Sequence, residues 1–191
     1  MKADDAKRVD GVKEYKEALR LFLKEKRAKI SKKQRKYARE DCYAELKTLL
    51  HLFPYVLSFA STDDEINLDL LNRDLAKEGR LLLPKVVDDY LVPHLVTDLD
   101  KQLKPSKWGI CEPISSKTEE IKLEKISCLL VPALGFDTHK HRLGYGMGYY
   151  DRLIHKLAHT PAFGIGFKEQ MVSDPLPIEP HDRRLTRLYL F

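Results

Sequence analysis

From residue 131 to residue 154 the chain reads Val-Pro-Ala-Leu-Gly-Phe-Asp-Thr-His-Lys-His-Arg-Leu-Gly-Tyr-Gly-Met-Gly-Tyr-Tyr-Asp-Arg-Leu-Ile, and no other stretch concentrates as many residues able to do chemistry. Gly144, Gly146 and Gly148 remove side chains from every second position, so backbone N–H groups can approach a bound group closely. From Tyr149 to Ala158, the residues Tyr150, Leu153, Ile154 and Leu157 recur at helical spacing. A glycine loop feeding a helix N-terminus cradles phosphate, because the first N–H groups of the helix lack partners and the dipole favours an anion. Arg142 offers a planar cationic fork for phosphate oxygens, and Asp151, in the first helical turn, a carboxylate able to hold Mg²⁺. Each also has a plainer role: Asp151 is a favourable helix-start residue and Arg142 a solvated charge. The loop lacks a Gly-Lys-Ser/Thr ending, so it is not a Walker A loop, and its Gly-x-Gly-x-Gly spacing is not the dinucleotide fingerprint.

The elements that must position these residues follow from periodicity. Ile126–Val131, just upstream, is short, apolar and partly β-branched and reads as a buried strand. Val12–Lys29 reads as a helix with Val12, Tyr15, Leu19, Phe22 and Leu23 as its apolar stripe. Ser31 is an N-cap for a second helix ending near His51. Strands are predicted over 54–61, 81–86, 162–167 and 185–191, with Pro84 placing the second of these near an edge or strand end. A helix over 67–77 should stop at Gly79. The segment 90–113 carries no clear pattern. Alternating strands and helices predict an α/β fold with a mostly parallel sheet, in which ligands bind at the carboxyl ends of the strands. That rule gathers residues 58–61, the end of 129–131 and the glycine loop around one crevice.

The motif Pro132-x-Leu134-Gly135-Phe136-Asp137, followed by Arg142-Leu-Gly-Tyr-Gly-x-Gly-Tyr-Tyr-Asp-Arg152, resembles the signature of the 5-formyltetrahydrofolate cyclo-ligase family. Further pieces occur in that family's order: Lys16 with Leu19-Arg20, Asp64-Glu65-Ile66, Leu83-Pro84, Gly109-Ile110-x-Glu112-Pro113, Phe167-Lys168-Glu169-Gln170, and Leu176-Pro177 through His181-Asp182. The resemblance implies a three-layer α/β/α sandwich akin to the sugar-isomerase and CoA-transferase group. It also implies MgATP-driven closure of 5-formyltetrahydrofolate to 5,10-methenyltetrahydrofolate through phosphorylation of the formyl oxygen. By the same resemblance Lys16, Arg20 and the run Arg142, Leu143, Gly144, Tyr145, Gly146, Met147, Gly148, Tyr149 and Tyr150 bind ATP. Ala60, Glu65, Tyr145, Met147, Gly148 and Tyr149 contact the folate, Arg142, Tyr149 and Tyr150 act in catalysis, and Asp151 and Asp182 hold Mg²⁺.

Each role has an ordinary counterpart. Lys16 and Arg20, at i and i+4, could be surface charges; Glu65 could start a helix; Asp182 could serve a Pro-His-Asp turn. Two departures from the family pattern stand out: Lys140 replaces a frequent glycine, and Thr186 falls where an acidic residue is common. The first keeps open a second reading, a folate- or nucleotide-binding relative that has lost turnover.

Composition sets outer limits. A chain of 191 residues is long enough for one domain, here taken as 1–191, with a real core. No apolar run reaches the ~20 residues of a membrane helix, and the polar opening residues show no secretory pattern. Cys42, Cys111 and Cys128 are odd in number and far apart, which fits a reducing, cytoplasmic setting and offers no metal knuckle. The net charge of +5 lies mostly in Lys24–Arg39, read as a solvated helix face; without interleaved aromatics or a zinc pattern it does not predict nucleic-acid binding. The expected partners are small polyanions, ATP and a folate with or without a polyglutamate tail, met by a monomer. His155 and His159 are spaced i, i+4, but no third metal ligand accompanies them.

Overall fold

The structure, a computed structural model, describes residues 3–106 and 109–191, with side chains from residue 11 onward. Two long helices, α1 (Ala3–Ala28) and α2 (Lys32–Leu50), lead into β1 (Val56–Leu57), α3 (Asp69–Lys77), β2 (Leu81–Val87), β3 (Tyr90–Leu95), a short α4 (Leu99–Gln102), β4 (Leu103–Pro105), β5 (Cys111–Pro113) and β6 (Glu119–Glu120). After a 3-10 turn come β7 (Cys128–Val131), β8 (Gly135–Asp137), β9 (Arg142–Leu143), α5 (Tyr149–Lys156), β10 (Ala162–Gly166), β11 (Met171–Val172) and β12 (Arg187–Leu190).

The main sheet runs β12-β10-β7-β1-β2-β3-β6. Its first four pairings are parallel, and β3 and β6 close one side antiparallel. Strand alternation splits its side chains into two cores. Val56, Leu81, Leu83, Leu130, Phe163 and Ile165 pack under α2 and α3; Leu57, Leu82, Leu129, Val131 and Ala162 pack under α5. The fold is thus the expected mixed α/β architecture, with helices on both faces of a largely parallel sheet.

Local signals account for several boundaries. Ser31 caps α2 in a capping box with Gln34, worth about 1 kcal/mol. Gly79, at φ 67°, ends the turn after α3. Pro84 marks neither an edge strand nor the end of β2, which runs on to Val87, contrary to the sequence-based expectation of one or the other. Strand β2 is interior, but β1 reaches only Leu81 and Leu82, so Pro84 lies beyond the end of that ladder, opposite Pro93 of β3. The unread segment 90–113 supplies β3, α4 and the β4–β5 hairpin.

Helix α1 departs most from its predicted face. Tyr15 and Phe22, assigned to the apolar stripe, are exposed, while Lys16, Leu23 and Arg27 are buried. Leu23 docks on Gly135, where a Cβ would lie 2.6 Å from the leucine Cδ1, so the glycine is what permits the approach. There α1 meets a second, small sheet, β11-β8-β9, which carries the glycine loop at the end of β9. The β8–β9 turn is clasped by the fully buried Asp137 carboxylate, which accepts from the N–H groups of His141 (2.8 Å) and Leu176 (3.0 Å).

Lys140 in that turn adopts φ 68°. Its ammonium turns to the Thr186 carbonyl at 3.3 Å, so it is not an added cation facing the glycine loop. A side chain at such φ costs about 1 kcal/mol relative to glycine. Lys140→Gly is therefore expected to raise the thermal midpoint by about 2–4 °C in a chain of this size. An unchanged or lower midpoint in a melting experiment would contradict the strain.

Candidate active site

The glycine loop joins β9 to α5. Gly146 (φ 100°) and Gly148 (φ 66°) have positive φ, which bends the chain so that α5 begins with its N-terminus at the loop. Gly148 is the N-cap and provides no side-chain cap, so the first N–H groups of α5 are left for water or a ligand. A cleft of ≈ 410 Å³ opens alongside, lined among others by Gly146, Met147, Asp151, His155, His181 and Arg183.

Three cations border this loop and its cleft, two from α1 and one from β9. Arg20 of α1 donates from Nε to the Gly144 carbonyl (3.0 Å) and covers Gly146. Arg142 of β9 pairs with Asp151 at 2.9 Å, and the same Asp151 oxygen accepts the Arg183 N–H at 3.0 Å. Lys16, only 5 % exposed, places its ammonium 2.6 Å from both Glu179 and Asp182. It is no surface charge. Burial by itself would raise the Asp182 carboxyl; hydrogen bonds from Lys16 and the Glu179 N–H, with the lysine charge, outweigh that and hold it below its ordinary value. The carboxylate is thus ionised at neutral pH.

The acidic turn offers the donors of a Mg²⁺ site. Glu179, His181 and Asp182 bring ligand atoms within 4.8 Å of one another; Asp151, the other predicted aspartate, is tied to the next residue of that turn by the Arg183 N–H but is not one of this group. Carboxylate oxygens are the donors a small hard cation prefers, so the residues present fit the ion. Lys16 now neutralises Glu179 and the Oδ2 atom of Asp182, leaving Asp182 Oδ1 outside that bond.

Across the crevice, Glu65 lies in a turn of its own: its N–H donates to the Thr62 carbonyl and its Oε2 accepts the Thr62 N–H at 3.0 Å. Helix α3 starts only at Asp69, so Glu65 does not begin it. Its other oxygen faces the Tyr145 hydroxyl at 3.4 Å. The Tyr150 phenol is pushed above the usual tyrosine range by desolvation and the nearby Glu65 charge, with Arg142 opposing. Tyr150 is therefore a neutral donor group within reach of both charges, and no phenolate base at neutral pH.

Residues 12–190 match the family model described as the 5-formyltetrahydrofolate cyclo-ligase family. The chain belongs to this family. Among curated relatives, the 5-formyltetrahydrofolate cyclo-ligase of Mus musculus is 25 % identical over 91 % of this chain and 92 % of its own length. A probable 5-formyltetrahydrofolate cyclo-ligase of Schizosaccharomyces pombe is 31 % identical over 59 % of this chain; the match spans 62 % of that protein. The 5,10-methenyltetrahydrofolate synthetase of Aquifex aeolicus has the same fold, with a TM-score of 0.79 and 29 % identity over 91 % of this chain and 88 % of its own. Membership makes this chain an enzyme of the cyclo-ligase class.

Set against the family's signature, the predicted residues fall into three groups. Lys16, Arg20, Arg142, Gly144, Gly146, Gly148, Asp151 and Asp182 surround the loop and cleft, and Met147 is exposed on it. Glu65 and Tyr145 face each other, the Glu65 charge also bears on Tyr150, and half-buried Ala60 lies three residues past β1 on the way to Glu65. Leu143 is a correction: its side chain is buried with Leu23, Leu134 and Leu176, so only its backbone could serve a ligand. The Tyr149 ring lies under Arg152 (5.2 Å) at the edge of the α5 core.

Three site residues were missed. Glu179 and His181 flank Pro180 ahead of Asp182, and the signal was their spacing, Glu-x-His-Asp. Arg27 was assigned to the solvated face yet is 3 % exposed; its Nη2 donates to Tyr145 at 2.9 Å. Arg35 from the same basic run is also engaged, binding the carbonyls of Arg27, Asp63 and Asp64 and so pinning the turn that carries Glu65. His155 turns to Arg183 (2.6 Å) and, among the described residues, joins no metal-ligand group.

Proposed function

We propose that this protein closes 5-formyltetrahydrofolate to 5,10-methenyltetrahydrofolate, consuming ATP and releasing ADP and phosphate. The observation that carries the reading is that Arg20 and Arg142 hold a glycine loop at a helix N-terminus, with Lys16 on the acidic turn beside Asp182 and the loop's Tyr145 hydroxyl against the Glu65 carboxylate. The cationic side suits a triphosphate. Glu65 suits the adjacent N–H donors of a pterin edge.

An N5-formyl oxygen is a poor leaving group. Its attack on the γ-phosphorus, with departure of ADP, converts it to a phosphate ester. N10 then bonds to the formyl carbon and loses its proton, and the C–O bond breaks as inorganic phosphate leaves. Such a route asks the protein mainly for positioning and charge neutralisation. Arg142 and the loop N–H groups hold the phosphoryl oxygens, Arg20 and Lys16 neutralise the chain behind them, and neutral Tyr150 donates near the formyl group. Asp151 and Asp182 would hold Mg²⁺, which when bound neutralises charge on the phosphates. Lys16 must then move from Asp182 toward the anion, an exchange of partners across one short contact.

The test is the absorbance of protein with 5-formyltetrahydrofolate, Mg²⁺ and ATP, each omitted in turn. The methenyl product is more conjugated and absorbs at longer wavelength. Growth of that band only in the complete mixture is expected. A flat trace from folded protein would overturn the assignment.

A further inference from the structure

Arg27 is a buried charge on α1, and packing alone does not account for it. It is 3 % exposed, and its Nε is buried without a partner. Its Nη1 reaches the Ala133 carbonyl only at 3.5 Å, and its ion pair to the exposed Asp64 is stretched to 4.0 Å. Its neighbours on the buried face, Leu23 and Ile30, are apolar, so a methionine would fill the same space without desolvating a charge. The one short bond is from Nη2 to the Tyr145 hydroxyl, 2.9 Å.

That bond fixes a direction. A guanidinium only donates, so the phenol oxygen accepts from Arg27 and its single O–H must point elsewhere. The acceptor within reach is Glu65 Oε1 at 3.4 Å. The other Glu65 oxygen already accepts the Thr62 N–H. Both carboxylate oxygens are thereby oriented, and Glu65 is set as an acceptor for two adjacent donors. Burial and the Glu65 charge raise the Tyr145 phenol, which keeps it a donor.

We infer that Arg27 is a positioning residue for the folate half of the site, acting through Tyr145 to align the Glu65 carboxylate for the amino and ring N–H groups of the pterin. This rests on the reading of Glu65 as the pterin-binding carboxylate. Arg27 reaches the glycine loop only through the Tyr145 side chain and stands apart from the Lys16 and Arg142 ion pairs, so its influence falls more on the folate than on ATP.

The experiment is calorimetric titration of 5-formyltetrahydrofolate and of ATP, separately, into wild type, Arg27→Lys, Arg27→Met, Tyr145→Phe and the Arg27→Met/Tyr145→Phe double variant, with a melting curve for each. Arg27→Met is expected to weaken folate binding about tenfold, the scale of one lost charge-assisted hydrogen bond, and to change ATP binding by less than that. Tyr145→Phe should do the same, the double variant should be no worse than either single one, and Arg27→Lys should recover part of the loss. Wild-type folate affinity in Tyr145→Phe, or additive losses in the double variant, would overturn the inference; so would an Arg27→Met variant that melts earlier but binds folate normally. Should Arg27→Met not fold, Tyr145→Phe and Arg27→Lys decide the matter, since Tyr145 is half exposed. Wild type that binds folate but never forms the methenyl band would sink the cyclo-ligase reading and leave the Arg27 test valid. Wild type that binds no folate would sink both.

Discussion

Arg142→Met lowers turnover by about 10²- to 10³-fold, the scale seen when a preorganised charge facing a transferring phosphoryl group is removed. Arg142 is the hub of the cationic side. One nitrogen pairs with Asp151 at 2.9 Å and another donates to the Arg183 carbonyl at 3.3 Å, so its side chain is fixed before any substrate arrives. Methionine keeps the packing and removes both bonds. It also leaves Asp151 without its counter-ion; stability should fall by about 1–3 kcal/mol, as for a partly buried carboxylate losing its partner. The two effects separate experimentally, with single-turnover rates on protein held well below its melting point reporting the first and denaturant unfolding the second. Asp151→Asn gives the complementary result, because the amide oxygen can still accept the Arg183 N–H. It should fold normally yet respond weakly to added Mg²⁺. Wild-type rate in Arg142→Met, or a wild-type Mg²⁺ titration in Asp151→Asn, would remove these residues from the proposed roles.

Gly146→Val should abolish detectable ATP binding while folate affinity changes little. Gly146 sits at φ 100°, a conformation that costs a β-branched residue roughly 1–3 kcal/mol. A Cβ there would lie 3.3 Å from Arg20 Cζ and 3.4 Å from its Nη2. The valine thus has two ways to relieve the contact, and both damage the site: the loop flattens, or Arg20 leaves the Gly144 carbonyl. Titration of ATP into the folded variant checks this, with Gly144→Ala as a control. Gly144 has no positive φ, and a Cβ there meets nothing within 4 Å. Equal ATP affinity in wild type and Gly146→Val would mean that the loop is only a strand-to-helix connection.

The legible parts of this chain were those governed by neighbours in sequence. The Ser31–Gln34 capping box, the Gly79 stop and the apolar runs of β7 and β10 each carry their reason within a few residues. The glycine loop was legible for the same cause, since spacing alone places bare backbone ahead of a helix. The buried face of α1 was not. Periodicity favoured Tyr15 and Phe22, but tertiary structure buries Lys16 and Arg27, because partners from Ala133, Tyr145, Glu179 and Asp182 come to meet their charges. Likewise Pro84 read as an edge or strand-end signal only because the shortness of β1 was invisible.

The sequence by itself determined the family, the alternation of strands and helices, and the identity of the loop that a phosphate would occupy, since these depend on residue type and short spacing. Tertiary structure alone decided which cations are buried and what they pair with. Lys16 stands 163 residues from Glu179 and 166 from Asp182, and Arg27 stands 118 from Tyr145. The energy of burying a charge depends on the groups that surround it after folding, and those groups come from distant parts of the chain.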